Sequence, residues 1–232
     1  DEMKYVNNDK TAVLPNTTLV KEGYIFNGWN TMANGSGDDY EENSNFIFTT
    51  SNVVLYAQWL SEVVYHELIS SNVNVIDILN AAPLSGDNLY HATVDIINGS
   101  LTLNDSPSNS KFQFQYNGLN GISPENKGYL KVKYNSGFHT ASNDGRALGL
   151  TAGSTISSST FLNAGVAEIS GLGHNWGDKT NVYIPVRITI DSRTHYGYIK
   201  ASFKDAFGQL IIHATAYNMI PEKEIIAGQQ DK

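Results

Sequence analysis

Along most of the chain apolar and polar residues alternate in short runs, each closed by Asn, Gly, Ser or Asp. A period of two is that of a strand with one face buried. Beyond residue 69 such runs fall at 88–97, 100–103, 111–116, 129–134, 155–156, 167–169, 182–190, 193–203 and 209–217. Turn residues such as Asn98-Gly99, Asn117-Gly118 and Asn143-Asp144-Gly145 lie between them, and these types tolerate positive φ. The runs 182–190 and 193–203, joined by Asp191-Ser192, read as one hairpin. Residues 73–79 fit a strand or a short helix equally. Many short strands with no amphipathic helices between them predict a mainly β fold, an antiparallel β-sandwich that is jelly-roll-like.

Before residue 60 two aromatic runs dominate: Gly23-Tyr24-Ile25-Phe26-Asn27-Gly28-Trp29-Asn30 and Val53-Val54-Leu55-Tyr56-Ala57-Gln58-Trp59. Between them Thr31-Met32-Ala33-Asn34-Gly35-Ser36-Gly37 is a turn of Asn and Gly. In a unit this small, two indoles supply much of the area that can be buried, so Trp29 and Trp59 read as core.

The order Leu19-Val20-Lys21-Glu22-Gly23-Tyr24-Ile25-Phe26-Asn27-Gly28-Trp29-Asn30, then Gly35-Ser36-Gly37, then Val54-Leu55-Tyr56-Ala57-Gln58-Trp59 resembles the internalin-type B repeat, or Listeria-Bacteroides repeat, at about 12–59. The resemblance covers about a quarter of the chain. It implies a small β-grasp-like module of the kind found in tandem on bacterial surface proteins. The family's usual first strand is not recognisable before Tyr5, so the expectation is an N-terminally truncated repeat. Either the sequence starts within a repeat, or this copy is degenerate and residues 11–14 supply the edge. An open edge needs cover, expected from the second domain or from a preceding repeat. The expected domains are a B-type repeat at 1–60 and a β-sandwich at 61–232, with no Pro- or Gly-rich linker between them. His195-Tyr196-Gly197-Tyr198, Ala216-Tyr217 and Ile225-Ile226-Ala227-Gly228-Gln229 resemble the end of a β-sandwich common in uncharacterised bacterial exported or surface proteins.

Charge narrows the partners. The net charge is −8, so a nucleic acid or an anionic membrane gains no electrostatic help. There is no cysteine, which removes disulfides, thiolate metal sites and thiol nucleophiles. No apolar run approaches the length of a bilayer span, so membrane insertion is not expected within this fragment.

Candidate chemistry is sparse. Asp38-Asp39-Tyr40-Glu41-Glu42-Asn43 invites calcium, but lacks the Asp-x-Asp-x-Asn-Gly spacing and reads as a solvated acidic loop. His66-Glu67 has no second histidine one turn later, and the six histidines are scattered. His195 reads as a hydrogen-bonded packing residue. No nucleophile elbow or phosphate-binding loop occurs. Neither catalytic residues, metal nor cofactor is therefore expected, and the chain is not read as an enzyme. Rings stack on sugar faces, which makes Tyr90, Tyr116, Tyr129, Tyr134 and Trp176 candidates for a glycan site; Trp176, Tyr129 and Tyr134 are the ligand-binding residues chosen. Lys131, Lys133 and Lys200 leave room for a Lys-Asn crosslink. The functional expectation is a non-catalytic bacterial cell-surface module for adhesion or display, extracellular, at the cell surface or cell wall. The alternative is a carbohydrate-binding sandwich. The partner would be a host or cell-surface protein or a glycan.

Overall fold

The structure, a computed structural model, describes residues 2–6, 11–14, 18–47, 52–68, 75–77, 89–103, 112–117, 129–133, 139–140, 142–143, 146–161, 167–168, 179–204 and 209–231. It is mainly β, with antiparallel sheets, and divides into two compact units, residues 1–62 and 63–231.

In the first unit a four-stranded sheet runs in the order Glu2–Val6, Asn52–Ser61, Tyr24–Asn30, Asp39–Tyr40. The two aromatic runs are direct neighbours: Ile25 pairs with Leu60 and Phe26 with Trp59, and after a bulge Trp29 pairs with Ala57. The bulge adds one residue at Asn27-Gly28 and so resets the alternation of faces. Phe26 and Trp29, three apart, consequently share a face and meet edge-on at 5.3 Å. Only glycine fits there: Gly28 has φ +90°, and an added Cβ would stand 2.7 Å from the Tyr40 carbonyl oxygen. Leu14, Trp29, Phe46 and Leu55 form the core.

Two expectations are corrected in this unit. The edge is not supplied by residues 11–14: Glu2–Val6 pairs antiparallel with Asn52–Ser61, Glu2 opposite Tyr56 and Val6 opposite Asn52. Its charged Glu2 and Lys4 hide the alternation in so short a run, whereas Thr11–Val13 forms a separate ribbon with Asn45–Ile47. Trp29 is core at 1% exposure, but Trp59 is only half-buried. Trp59 shares a face with Leu55 and Ala57 yet lies past the last core layer. There it packs edge-on against Phe26 at 5.5 Å with the Lys21 ammonium 5.9 Å from its ring.

The second unit is built on a sheet ordered His139–Thr140, Lys179–Ile190, Arg193–Lys204, Gln209–Asn218, Val63–Glu67, with Val75–Asp77 also paired to Gln209–Asn218. A second sheet runs Ser100–Leu103, Leu89–Asp95, Phe112–Asn117, Tyr129–Lys133, Ala167–Glu168, Arg146–Ala147, Ser142–Asn143. Its pairings are antiparallel except that of Arg146 with Glu168. One core lies between the sheets, where Val94, Ile96, Phe112 and Phe114 meet Ile184, Val186, Ile188, Ile199 and Phe203. A second core covers the opposite face of the first sheet, where Tyr183, Tyr196 and Tyr198 pack with Ile156, Phe161, Ile225 and Ala227. Cover on both faces explains why residues 183–186 and 195–199 are buried without alternation. Residues 75–77, left open between strand and helix, form a strand.

Candidate functional site

Two neighbouring turns at one end of the central sheet enclose an open cavity. The first is the two-residue hairpin turn between Ile190 and Arg193, which pair with each other. Asp191 and Ser192 have φ of 48° and 63°, the positive pair of a type I′ turn, whose twist matches that of the strands. The second turn follows the neighbouring strand, and the buried Asn218 holds it. The Asn218 side-chain oxygen accepts from the Ile220 amide at 2.9 Å, and its amide nitrogen donates to the Glu224 carbonyl at 3.1 Å. The Glu222 amide donates to the Thr194 carbonyl at 2.8 Å, tying one turn to the other.

The cavity, about 470 Å³, is lined by Ile190, Asp191, Arg193, His195, Tyr217, Met219 and Pro221. That volume is in the range of small-molecule sites. His195, 5% exposed, is hydrogen bonded as its sequence context suggested: Nδ1 lies 2.9 Å from the Asn218 carbonyl oxygen. A carbonyl only accepts, so Nδ1 is the donor of this bond. The His195 ring stands edge-on to Tyr217 at 6.5 Å. Burial, then the Asp95 carboxylate, raises the pKa of Tyr217, so its hydroxyl stays a donor. On the opposite face the Tyr196 hydroxyl donates to Glu222 at 2.6 Å. That bond is the first cause holding the Glu222 carboxyl below its usual range; Tyr196 is pushed up to about 12, chiefly by burial.

A second constellation has the look of catalysis. Ser202 Oγ lies 2.6 Å from His213 Nε2. The Asn181 amide donates to Oγ at 3.0 Å, and the direction of the Oγ–Nε2 bond follows the His213 tautomer. This is the geometry of a nucleophile and its base. Burial and then Lys200 lower the His213 pKa, so a cation rather than an orienting carboxylate stands beside the ring, and Ser202 is buried. Its local role is structural. The pairing passes from Lys200–Ala214 to Ala201–Ile212, leaving His213 as the extra residue of a bulge whose carbonyl accepts from the Leu68 amide at 2.9 Å.

Of the residues chosen from sequence, Trp176 and Tyr134 lie outside the described residues. Tyr129 is placed by its backbone alone, opposite Asn117. None of the three is among the described residues that line the cavity. In the first unit Asp39 accepts from the Asn30 side chain at 2.7 Å, and the described residues hold no cluster of three metal-ligating groups. The cavity residues went unchosen because Asp191-Ser192 reads as a turn and the lining comes from two separate strand ends. The one available signal was a pair of non-glycine residues in a two-residue hairpin.

Residues 1–58 match the family model of the Listeria-Bacteroides repeat domain. The first unit is a Listeria-Bacteroides repeat. The chain is 60% identical over 42 residues, 18% of its length, to a protein of Evansella cellulosilytica named "Putative Gly-rich membrane protein". It is 33% identical over 78 residues, 33% of its length, to a "Putative membrane protein" of the same organism. These stretches span 5% and 12% of the two relatives. No solved structure matches the chain. Among the described residues no helix is long and apolar enough to cross a membrane.

Proposed function

We propose that this chain belongs to a bacterial cell-surface protein and serves there in adhesion or surface display, without catalysis. The observation that carries the reading is the Listeria-Bacteroides repeat at residues 1–58. Two relatives whose names call them membrane proteins, and which are far longer than the matched stretch, support an envelope location for a multi-module protein. The net charge of −8 fits an exposed module that neither nucleic acid nor an anionic bilayer attracts. The Ser202–His213 pair does not argue for hydrolysis, because Lys200 would oppose the imidazolium that a general base must become.

Antibodies raised against the chain should label intact, unpermeabilised cells of the producing bacterium, and protease added outside should remove the label. Labelling that requires lysis would overturn the location. Beads coated with the chain should then be retained on whole cells or host matrix, and retention no better than with uncoated beads would remove adhesion and leave display.

A further inference from the structure

We propose that the cavity between the two turns of the second unit is a binding site for a neutral sugar ring, such as the terminal residue of a glycan. The inference deepens the adhesive reading by naming a ligand class, but its physical basis is confined to the second unit.

The chemistry of the lining selects the ligand. Ile190, Met219 and Pro221 offer an apolar wall of the kind that packs against the C–H face of a pyranose. Asp191 and Arg193 stand at the rim and are exposed; their charges cancel, so a neutral ligand loses nothing to uncompensated charge. A carboxylate accepting two hydroxyls and a guanidinium donating to two oxygens match the vicinal diol of a sugar. His195 also lines the cavity, on a side chain more than nine-tenths buried whose Nδ1 is held by the Asn218 carbonyl oxygen. Tyr217 lines it beside His195, and an imidazole and a phenol are both groups that hydrogen-bond a sugar hydroxyl.

The walls are held before any ligand arrives. Asn218 fixes the 219–222 turn through its side chain and His195 through its carbonyl. The bond from the Glu222 amide to the Thr194 carbonyl holds the two turns together. A site assembled in advance has less ordering cost to meet on binding.

The test is a titration of the whole chain, followed by amide correlation spectra, with methyl glycosides of glucose, galactose, mannose and N-acetylglucosamine, and with glycine as a zwitterionic control. At least one glycoside should shift amides clustered at 190–195 and 217–221, and glycine should shift none. Asp191→Asn, which suits the left-handed turn position, and Arg193→Ala, at an exposed site, should leave the remaining spectrum unchanged and weaken binding about tenfold or more. No shift with any glycoside, shifts elsewhere, equal shifts with glycine, or unaltered affinity in both variants would each overturn the proposal. A negative result here with surface labelling intact would leave the location standing and remove only the ligand class.

Discussion

Gly197 lies directly opposite Tyr217 in the ladder between the two long strands of the second unit, and the side chain it lacks is the space the tyrosine uses. A Cβ at 197 would stand 3.0 Å from the Tyr217 Cβ and 3.1 Å from Ile96 Cδ1, with the Ala216 carbonyl oxygen closer still. The ring thereby crosses its neighbour strand to join the core between the sheets and to reach the cavity beside His195. Gly197→Ala should destabilise the second unit by about 1–3 kcal/mol, as overpacking does. Chemical denaturation should show a lower midpoint at unchanged slope, and the His195 and Tyr217 resonances should move together.

The Tyr196–Glu222 bond predicts a stability window in pH. The pKa of Tyr196 is raised in the fold to about 12, so its contribution is complete below its ordinary value of about 10 and is lost as pH rises through 12. The pKa of Glu222 is lowered, so its contribution is present above the ordinary carboxylate value and is lost as pH falls through the folded one. Tyr196→Phe should cost about 1 kcal/mol near neutrality, because Glu222 is exposed and water replaces part of the bond. Denaturant midpoints measured across pH should converge for wild type and variant at both extremes; a constant gap would show that the hydroxyl acts through packing alone.

The loop after the first aromatic strand depends on one buried side chain. The Asn30 oxygen accepts from the Met32 amide at 2.7 Å and the Gly37 amide at 3.0 Å, while its nitrogen donates to the Gly37 carbonyl at 3.1 Å and to Asp39. Asn30→Ala would deprive the partly exposed Met32 and Gly37 backbone groups of their partner, at about 1 kcal/mol each because water replaces part of the bond. Amide exchange at Met32 and Gly37 should accelerate well beyond that at Leu55. Equal acceleration at all three would mean a global loss rather than a loop released.

Much of this fold was legible because strand formation is written in local alternation. The runs at 100–103 and 155–156 have the observed bounds, and those at 182–190, 193–203 and 209–217 differ from them by three residues at most. The repeat could be recognised because Gly23, Gly28 and the aromatics around them carry both a bulge and a core. What was not legible depends on pairing across the chain. Glu2–Val6 is a strand because Asn52–Ser61 offers it an edge, and Val63–Glu67 is one because Gln209–Asn218 does. The cavity belongs to the same class: His195 is held in its lining because the Asn218 carbonyl, twenty-three residues away in sequence, accepts from Nδ1.

The two tryptophans of the repeat share a sequence context but not an environment, and substitution should separate them. Trp29 is buried among Leu14, Phe46 and Leu55, so Trp29→Ala should cost about 3–5 kcal/mol from lost transfer energy and the cavity left behind. Its indole nitrogen is buried without a partner, so Trp29→Phe should cost less than the lost volume suggests, since it also removes an unsatisfied donor. Trp59 packs against Phe26 on one side and lies near Lys21 on the other, so Trp59→Ala forfeits an aromatic pair and partial burial, about 1–2 kcal/mol. Denaturation followed by circular dichroism would rank the three variants, and a Trp59→Ala loss as large as that of Trp29→Ala would mean that the indole at the end of the sheet is core after all.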